Sequence, residues 1–84
     1  MRPQDIKQLI EAGLPGAVAS VEGDDGVHFA CSVVFEGFGG LSAVKRHQLV
    51  YKALGDSMQG AIHALSIQTH TPEEWQRQQP FAAR

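Results

Sequence analysis

The sequence predicts an α+β fold in the order α-β-β-α-β-α, with a three-stranded mixed sheet that carries its helices on one face. An alternating apolar segment follows a turn rich in glycine and aspartate, which favours an antiparallel hairpin with the strand before it. A long amphipathic helix then leads to another apolar strand. A right-handed crossover would place this third strand parallel to the second, and the helices would cover one face of the sheet.

The first element is a short helix over Gln4–Ala12. Pro3 suits a first helical position, and Gly13 suits the end of the helix. The apolar residues at helical spacing are Ile6, Leu9 and Ile10. This narrow stripe predicts that the helix packs on the sheet.

The two hairpin strands are predicted at Ala17–Glu22 and Val27–Phe35, joined by the turn Gly23-Asp24-Asp25-Gly26. Alternation divides the second strand into two faces. The face expected to meet the helices carries Phe29, Cys31, Val33 and Phe35. The opposite face carries His28, Ala30, Ser32 and Val34. Cys31 is therefore expected to be a small buried apolar residue rather than a metal ligand.

A glycine-rich connection over residues 36–40 precedes the long helix, which is predicted from residue 41 or 42 to about Met58. Gly55 weakens the helix near its end and Gly60 terminates it. Its expected buried stripe is Leu49, Val50, Ala53, Leu54 and Met58.

The third strand is predicted at Ile62–Thr69, and a capped helix follows it. Thr71 suits the N-cap, Pro72 the first helical position and Glu74 the third, which together make a capping box. Trp75 is expected to anchor this last helix to the body of the domain.

The length and composition of the chain limit the classes of protein to which it can belong. The 84 residues suffice for one domain, and 43% apolar residues indicate a globular chain. Seven basic and nine acidic residues give a net charge of −2, which is not typical of a nucleic-acid binder. The single cysteine excludes a disulfide-stapled domain, and no signal peptide or membrane span is visible. We therefore expect a cytoplasmic protein, and the absence of a catalytic motif predicts that it is not an enzyme.

Two blocks of the sequence resemble the BolA family. The first is the segment Phe35–Tyr51, which reads FEGFGGLSAVKRHQLVY, and it is followed by Ile62–Ile67, which reads IHALSI. The segment Thr71–Trp75, TPEEW, is similar to the end of the short bacterial branch of that family. The resemblance extends over about Asp5–Trp75 and implies a fold similar to the type II KH domain.

The resemblance implies a non-enzymatic adaptor that pairs with a monothiol glutaredoxin and holds, senses or delivers a [2Fe-2S] cluster. The partner and its glutathione would supply thiolates to one iron. His63 would bind the other iron, together with His28, whose loop carries histidine or cysteine in the family. Neutral imidazole is a good ligand for iron. The alternative for each histidine is a packed or solvent-facing side chain. His70 is expected to be a surface residue, too far from His63 to share one metal.

A second interpretation is a KH-like, DNA-binding transcriptional regulator. Gly37-Phe38-Gly39-Gly40 matches a Gly-x-x-Gly string, and a basic helix start follows it. Lys45 and Lys52 are two helical turns apart and would share one side. The candidate nucleic-acid contacts are Gly37, Gly39, Gly40, Lys45, Arg46, His47 and Lys52. Many regulators of this type have arginine where Gln48 stands, which makes the patch less basic here. A tight turn with a solvated basic face is the structural alternative. A homodimer through an exposed strand edge is a third interpretation.

Overall fold

The computed structural model describes residues 2–23, 25, 28–55 and 64–78. The elements follow the predicted order. They are α1 (Pro3–Gly13), β1 (Val18–Glu22), β2 (His28–Val34), a single 3-10 turn (Glu36–Phe38), α2 (Ala43–Leu54), β3 (Ala64–His70) and α3 (Pro72–Gln78). None of the helices within these described ranges is long and apolar enough to cross a membrane.

The sheet has the order β1-β2-β3 and is mixed, as predicted. The antiparallel hairpin runs from the pair Val18 and Val34 to the pair Glu22 and Ala30. β3 runs parallel to β2, with Ala64 opposite His28 at one end and His70 opposite Val34 at the other. The hairpin and the parallel third strand are therefore both confirmed.

The core lies between one face of the sheet and the helices α1 and α2. Phe29, Cys31 and Val33 are at most 3% exposed, while the alternate residues of β2 are exposed or half-buried. The helices contribute buried apolar residues to the same cluster, namely Ile6, Ile10, Val50 and Leu54. The predicted division of β2 into a core face and an outer face is confirmed. The outer face is the one that carries His28.

The helices α1 and α2 approach each other closely at Gly13. A Cβ atom added to Gly13 would lie 2.6 Å from the Cβ of Ala53. Any larger residue would therefore push α1 away from α2. Gly13 is the last residue of α1, and this packing contact is a second reason for glycine there.

The predicted end of α2 is wrong. The helix stops at Leu54, and Gly55 is its C-cap with φ of +60° and a backbone N–H that donates to the carbonyl of Tyr51. Glycine adopts this conformation without the strain of a Cβ atom, so it ends the helix rather than weakening it. The residues predicted to continue it, up to Met58 and Gly60, lie outside the described residues.

The connection before α2 contains a tight turn, as the structural alternative predicted, but the sequence did not predict that its aromatic residue is buried. Phe38, in the 3-10 turn, is fully buried and packs edge-to-face on Phe35 with ring centroids 5.2 Å apart. A Cβ atom at Gly37 would lie 2.5 Å from the Phe35 ring, so a larger residue there would require this ring to shift. The glycine-rich string therefore inserts an aromatic side chain into the core.

Side chains of α1 cover part of the outer edge of β1. The Glu11 carboxylate accepts a hydrogen bond from the backbone N–H of Ala19 at 3.0 Å. The Lys7 ammonium donates to the Ala19 carbonyl at 2.9 Å and pairs with Glu11 at 2.7 Å. Both backbone groups of Ala19 therefore have a partner in α1, which protects this edge from pairing with another strand.

The prediction that His70 lies at the surface is wrong. His70 is 6% exposed, and its ring lies 5.2 Å from that of Trp75, centroid to centroid. The capping box predicted for α3 is confirmed, because Glu74 N–H donates to the Thr71 hydroxyl and Thr71 N–H donates to the Glu74 carboxylate. This cap turns the chain back immediately after β3, and Trp75 then covers His70.

Candidate metal-ligand site

His28 is the first residue of β2 and lies on the outer face of the sheet. Its side chain is 69% exposed. Successive residues of β2 face opposite sides of the sheet, and it is the next residue, Phe29, that faces the core. A ligand at this position is accessible to a metal centre that another molecule carries.

Asp25 holds His28 through both of its carboxylate oxygens. One oxygen accepts a hydrogen bond from the backbone N–H of His28 at 2.8 Å, and the other lies 2.7 Å from Nδ1 of its ring. An ionised carboxylate can only accept hydrogen bonds, so Nδ1 carries the hydrogen in this contact. In the neutral ring the lone pair is then on Nε2.

This arrangement fits a metal ligand. A histidine bound to a metal through one nitrogen usually donates the hydrogen on its other nitrogen to a carboxylate or a carbonyl. Asp25 occupies the position of that carboxylate, and the structure records no hydrogen bond to Nε2 of His28 from any described residue. Nε2 is therefore the nitrogen that a metal can reach.

His63, the second predicted ligand, lies outside the described residues. Its neighbour in the sequence, Ala64, is the register partner of His28 in the parallel pair of β2 and β3. The assignment of both histidines as ligands stays a prediction.

The described residues contain no complete metal site of their own. No three histidine, cysteine, aspartate or glutamate residues among them are grouped so that they could hold an ion. Cys31 is 3% exposed, and burial raises the pKa of its thiol to about 11. Its predicted role as a buried apolar residue is confirmed, since a thiolate ligand needs the opposite environment.

The basic residues of α2 fall into two groups. Lys45 and Lys52 are both exposed and border one shallow groove with Leu41, Gln48 and Leu49. The prediction that the two lysines share one side of the helix is therefore confirmed. Two large apolar residues of the same helix, Val44 and Tyr51, are also exposed.

Arg46 belongs to the interior of the fold rather than to this groove. Its side chain is 13% exposed, and it donates to both carboxylate oxygens of Glu74, at 2.7 and 3.2 Å. It also donates to the Leu41 carbonyl at 3.0 Å and lies 5.8 Å from the centroid of the Phe38 ring. The bonds from Arg46 lower the pKa of Glu74 to about 2, and the same contact raises the pKa of Arg46.

The glycines assigned to nucleic acid have different surroundings. Gly37, Gly39 and Gly40 are all exposed, but Gly37 also lies against the Phe35 ring, and Gly40 has a φ of +78°. Gly39 also borders a cleft formed with α3. These glycines, with Lys45, Arg46, His47 and Lys52, stay a predicted set of contacts.

Sequence reasoning missed Asp25 and Glu74 as residues of the functional region. Asp25 was interpreted only as part of a turn, although an aspartate just before a strand often accepts a hydrogen bond from a nearby backbone N–H. Glu74 was interpreted only as a capping residue. Its ion pair with Arg46, 28 residues away, has no local sequence signal.

Comparison with known proteins identifies the family. The family model for BolA-like proteins matches residues 13–74. The DNA-binding transcriptional regulator BolA of Vibrio cholerae is 38% identical over 76 residues, which cover 90% of this chain and 68% of that protein. BolA-like protein 1 of Homo sapiens is 35% identical over 79 residues, and the matched region spans 58% of its length.

A solved structure gives the same result. The BolA homologue of Coxiella burnetii superposes with a TM-score of 0.84 at 50% identity, over 92% of this chain and 99% of that one. The fold, the family match and the sequence identity agree, and the chain belongs to the BolA-like family.

Proposed function

We propose that the chain is a non-enzymatic adaptor of the cytoplasm that pairs with a monothiol glutaredoxin and shares a [2Fe-2S] cluster with it. His28 and His63 are the ligands from this chain, and the partner with its glutathione supplies the thiolates. The observation that carries the proposal is the His28 ring, which is exposed and has Asp25 on the nitrogen opposite the one that would bind iron.

The register of the sheet supports the pairing of the two histidines. His28 lies opposite Ala64, and His63 directly precedes Ala64 in the sequence. Consecutive Cα atoms are about 3.8 Å apart and neighbouring strands about 4.8 Å apart, so the Cα atom of His63 is bonded through one peptide unit to a residue that lies beside His28. Two ligands for one iron require this proximity.

The chemistry of imidazole determines what such a site does. A [2Fe-2S] cluster carries one electron at a time, and exchanging thiolate ligands for imidazole raises its reduction potential. A histidine binds metal only in its neutral form, so acid releases the ligand. A shared site also separates when either protein leaves, which suits an adaptor.

The test is reconstitution of the complex. The chain is mixed with a monothiol glutaredoxin, glutathione, ferric iron and sulfide, and visible absorption and circular dichroism are recorded. We expect a spectrum different from that of the glutaredoxin alone, and we expect His28→Ala and His63→Ala each to remove the difference. His47→Ala removes an imidazole from α2 and is the matched control. A spectrum that is unchanged in both ligand variants would contradict the assignment.

DNA binding is the second candidate function. The relative from Vibrio cholerae is named as a DNA-binding transcriptional regulator, and it shares 38% of its matched residues with this chain. The exposed pair Lys45 and Lys52 on one side of α2 favours the same activity here, because lysines at this spacing can follow a phosphate backbone.

Fluorescence anisotropy with duplex DNA over a range of salt concentrations tests this candidate. Phosphate contacts make affinity fall steeply with salt, and each lost contact reduces the slope by roughly 1. We expect Lys45→Ala with Lys52→Ala to reduce the slope by about 2. An unchanged slope would exclude this surface.

A further inference from the structure

We infer that Asp25 is a positioning residue that selects Nε2 of His28 as the metal-binding nitrogen. The inference rests on the proposed function, because it describes how the chain prepares one of its proposed ligands. It assigns a role to a residue that makes no contact with metal itself.

The geometry of the contact fixes the carboxylate and the ring relative to each other. The two oxygens of one carboxylate hold the backbone N–H and the ring Nδ1 of the same histidine, at 2.8 and 2.7 Å. The backbone bond fixes the position of the carboxylate relative to the main chain of His28. The ring can then keep its bond to Asp25 only in one orientation, with Nε2 on the far side.

The same contact also selects the tautomer of the neutral His28 ring. A neutral imidazole has one nitrogen that donates and one that accepts, and its partners decide which is which. The carboxylate of Asp25 accepts from Nδ1, so the lone pair is placed on Nε2 before any metal arrives. The hydrogen bond also increases the basicity of the ligating nitrogen.

Folding stability accounts for little of the contact with the ring. The side chains of His28 and Asp25 are 69% and 55% exposed, and such an exposed pair contributes little to folding even when the imidazole is charged. The bond to the backbone N–H of His28 helps to fix the turn, whereas the bond to Nδ1 determines the orientation of the ring and the position of its hydrogen.

Asp25→Asn makes the sharpest test, because asparagine has nearly the same shape as aspartate but a different set of donors and acceptors. An asparagine has one carbonyl oxygen and one NH₂ group. If the oxygen accepts the backbone N–H of His28, the NH₂ group faces Nδ1, which must then accept. The hydrogen moves to Nε2, which loses the lone pair that a metal needs.

The experiment uses the isolated full chain with 15N-labelled histidine, and long-range proton–nitrogen correlation in alkaline buffer reports the tautomer. We expect His28 of the wild type to carry its hydrogen on Nδ1, and that of Asp25→Asn to carry it mainly on Nε2. Glu22→Gln removes a carboxylate that borders the same hollow as His28, whereas the hydrogen bonds of His28 that involve its ring and backbone N–H are with Asp25, and we expect it to match the wild type. The same tautomer in the wild type and in Asp25→Asn would overturn the inference.

A second measurement follows the reconstituted complex with glutaredoxin during challenge by an iron chelator. We expect the cluster to be lost roughly 10- to 100-fold faster with Asp25→Asn, the size of effect usual for residues that support metal ligands. Loss at the wild-type rate would overturn the inference even if the tautomer changes. Failure of the wild type to form a cluster would instead contradict the proposed function, and the tautomer measurement would still decide the effect of Asp25 on the ring.

Discussion

Arg46 and Glu74 join α2 to α3 through two hydrogen bonds of 2.7 and 3.2 Å, one to each carboxylate oxygen. The same Glu74 carboxylate caps its own helix by accepting the backbone N–H of Thr71 at 3.0 Å. One side chain therefore fixes both the start of α3 and its place against α2. Because Arg46 makes this contact, replacing it is expected to affect the stability of the fold. Its replacement is therefore not a clean test of DNA binding by the basic residues of α2.

The ion pair predicts destabilisation by acid. The pKa of Glu74 is lowered from 4.5 to about 2, so its contribution to stability is fully present above pH 4.5 and is lost as the pH falls from there towards 2. We expect Glu74→Gln to be less stable than the wild type at neutral pH, with the difference shrinking through this range. Urea unfolding at a series of pH values measures it. Glu73→Gln, whose ion pair is with Arg77, is the control, and a constant difference at all pH values would contradict the prediction.

The two groups of basic residues predict different effects on stability. Lys45 and Lys52 are exposed, so replacing both with alanine should change the free energy of unfolding by no more than about 0.5 kcal/mol. Arg46→Ala should lower the unfolding midpoint clearly, because it leaves Glu74 without its partner. Thermal unfolding of both variants compares them. Equal midpoints would show that the Arg46 contacts do not support the fold, and a DNA assay on Arg46→Ala is interpretable only after this measurement.

Phe38 lies in a glycine-rich turn, yet its burial predicts that truncating its side chain strongly lowers the stability of the domain. Phe38→Ala should destabilise the domain by about 3–5 kcal/mol, through lost burial and the cavity that remains. Phe38→Leu retains apolar volume and should cost less, which keeps the test informative if the alanine variant does not fold. Val44→Ala, at a position 66% exposed, should change stability by about 0.5 kcal/mol or less. Denaturant unfolding ranks the three variants, and a tolerated Phe38→Ala would mean that the turn is not part of the core.

The contacts of α1 with the edge of β1 predict how Glu11 affects stability and self-association. Glu11→Ala leaves the buried N–H of Ala19 without its acceptor, which should cost about 1–3 kcal/mol. Glu11→Gln retains an acceptor oxygen and should cost less. Chemical unfolding measures both variants, with the exposed Glu22→Ala as control.

Self-association through this edge requires that Lys7 and Glu11 release Ala19. The double variant Lys7→Ala with Glu11→Ala should therefore associate more than the wild type in sedimentation velocity. A wild-type dimer that the double variant loses would show instead that these side chains support an interface.

The sequence predicted most of the fold because its signals are local. Alternation in β2 identified the buried Phe29 and Cys31, and the Thr71–Glu74 capping box marked the start of α3. The parallel placement of β3 followed from the connection through α2. Each of these depends on residues close together in the chain or on a general rule of topology.

The errors have several physical causes. His70 was placed at the surface because it ends a strand just before a helix cap, and only the fold of α3 brings Trp75 onto it. The ion pair of Arg46 with Glu74 was not predicted, because the two residues are 28 positions apart and the pair has no local sequence signal. Gly55 was interpreted as a weak point in a longer helix, since propensity alone does not reveal its φ of +60°. Periodicity and propensity do not report tertiary contacts or the backbone angles of a single glycine.

Pulsed electron paramagnetic resonance of the reduced complex tests the central claim most directly. The chain is labelled with 15N-histidine and the glutaredoxin is left unlabelled, so any strong 15N coupling to the cluster comes from this chain. We expect coupling to two histidine nitrogens, one of which disappears in His28→Ala. Absence of 15N coupling, or a spectrum that His28→Ala leaves unchanged, would contradict the claim that His28 binds the shared iron.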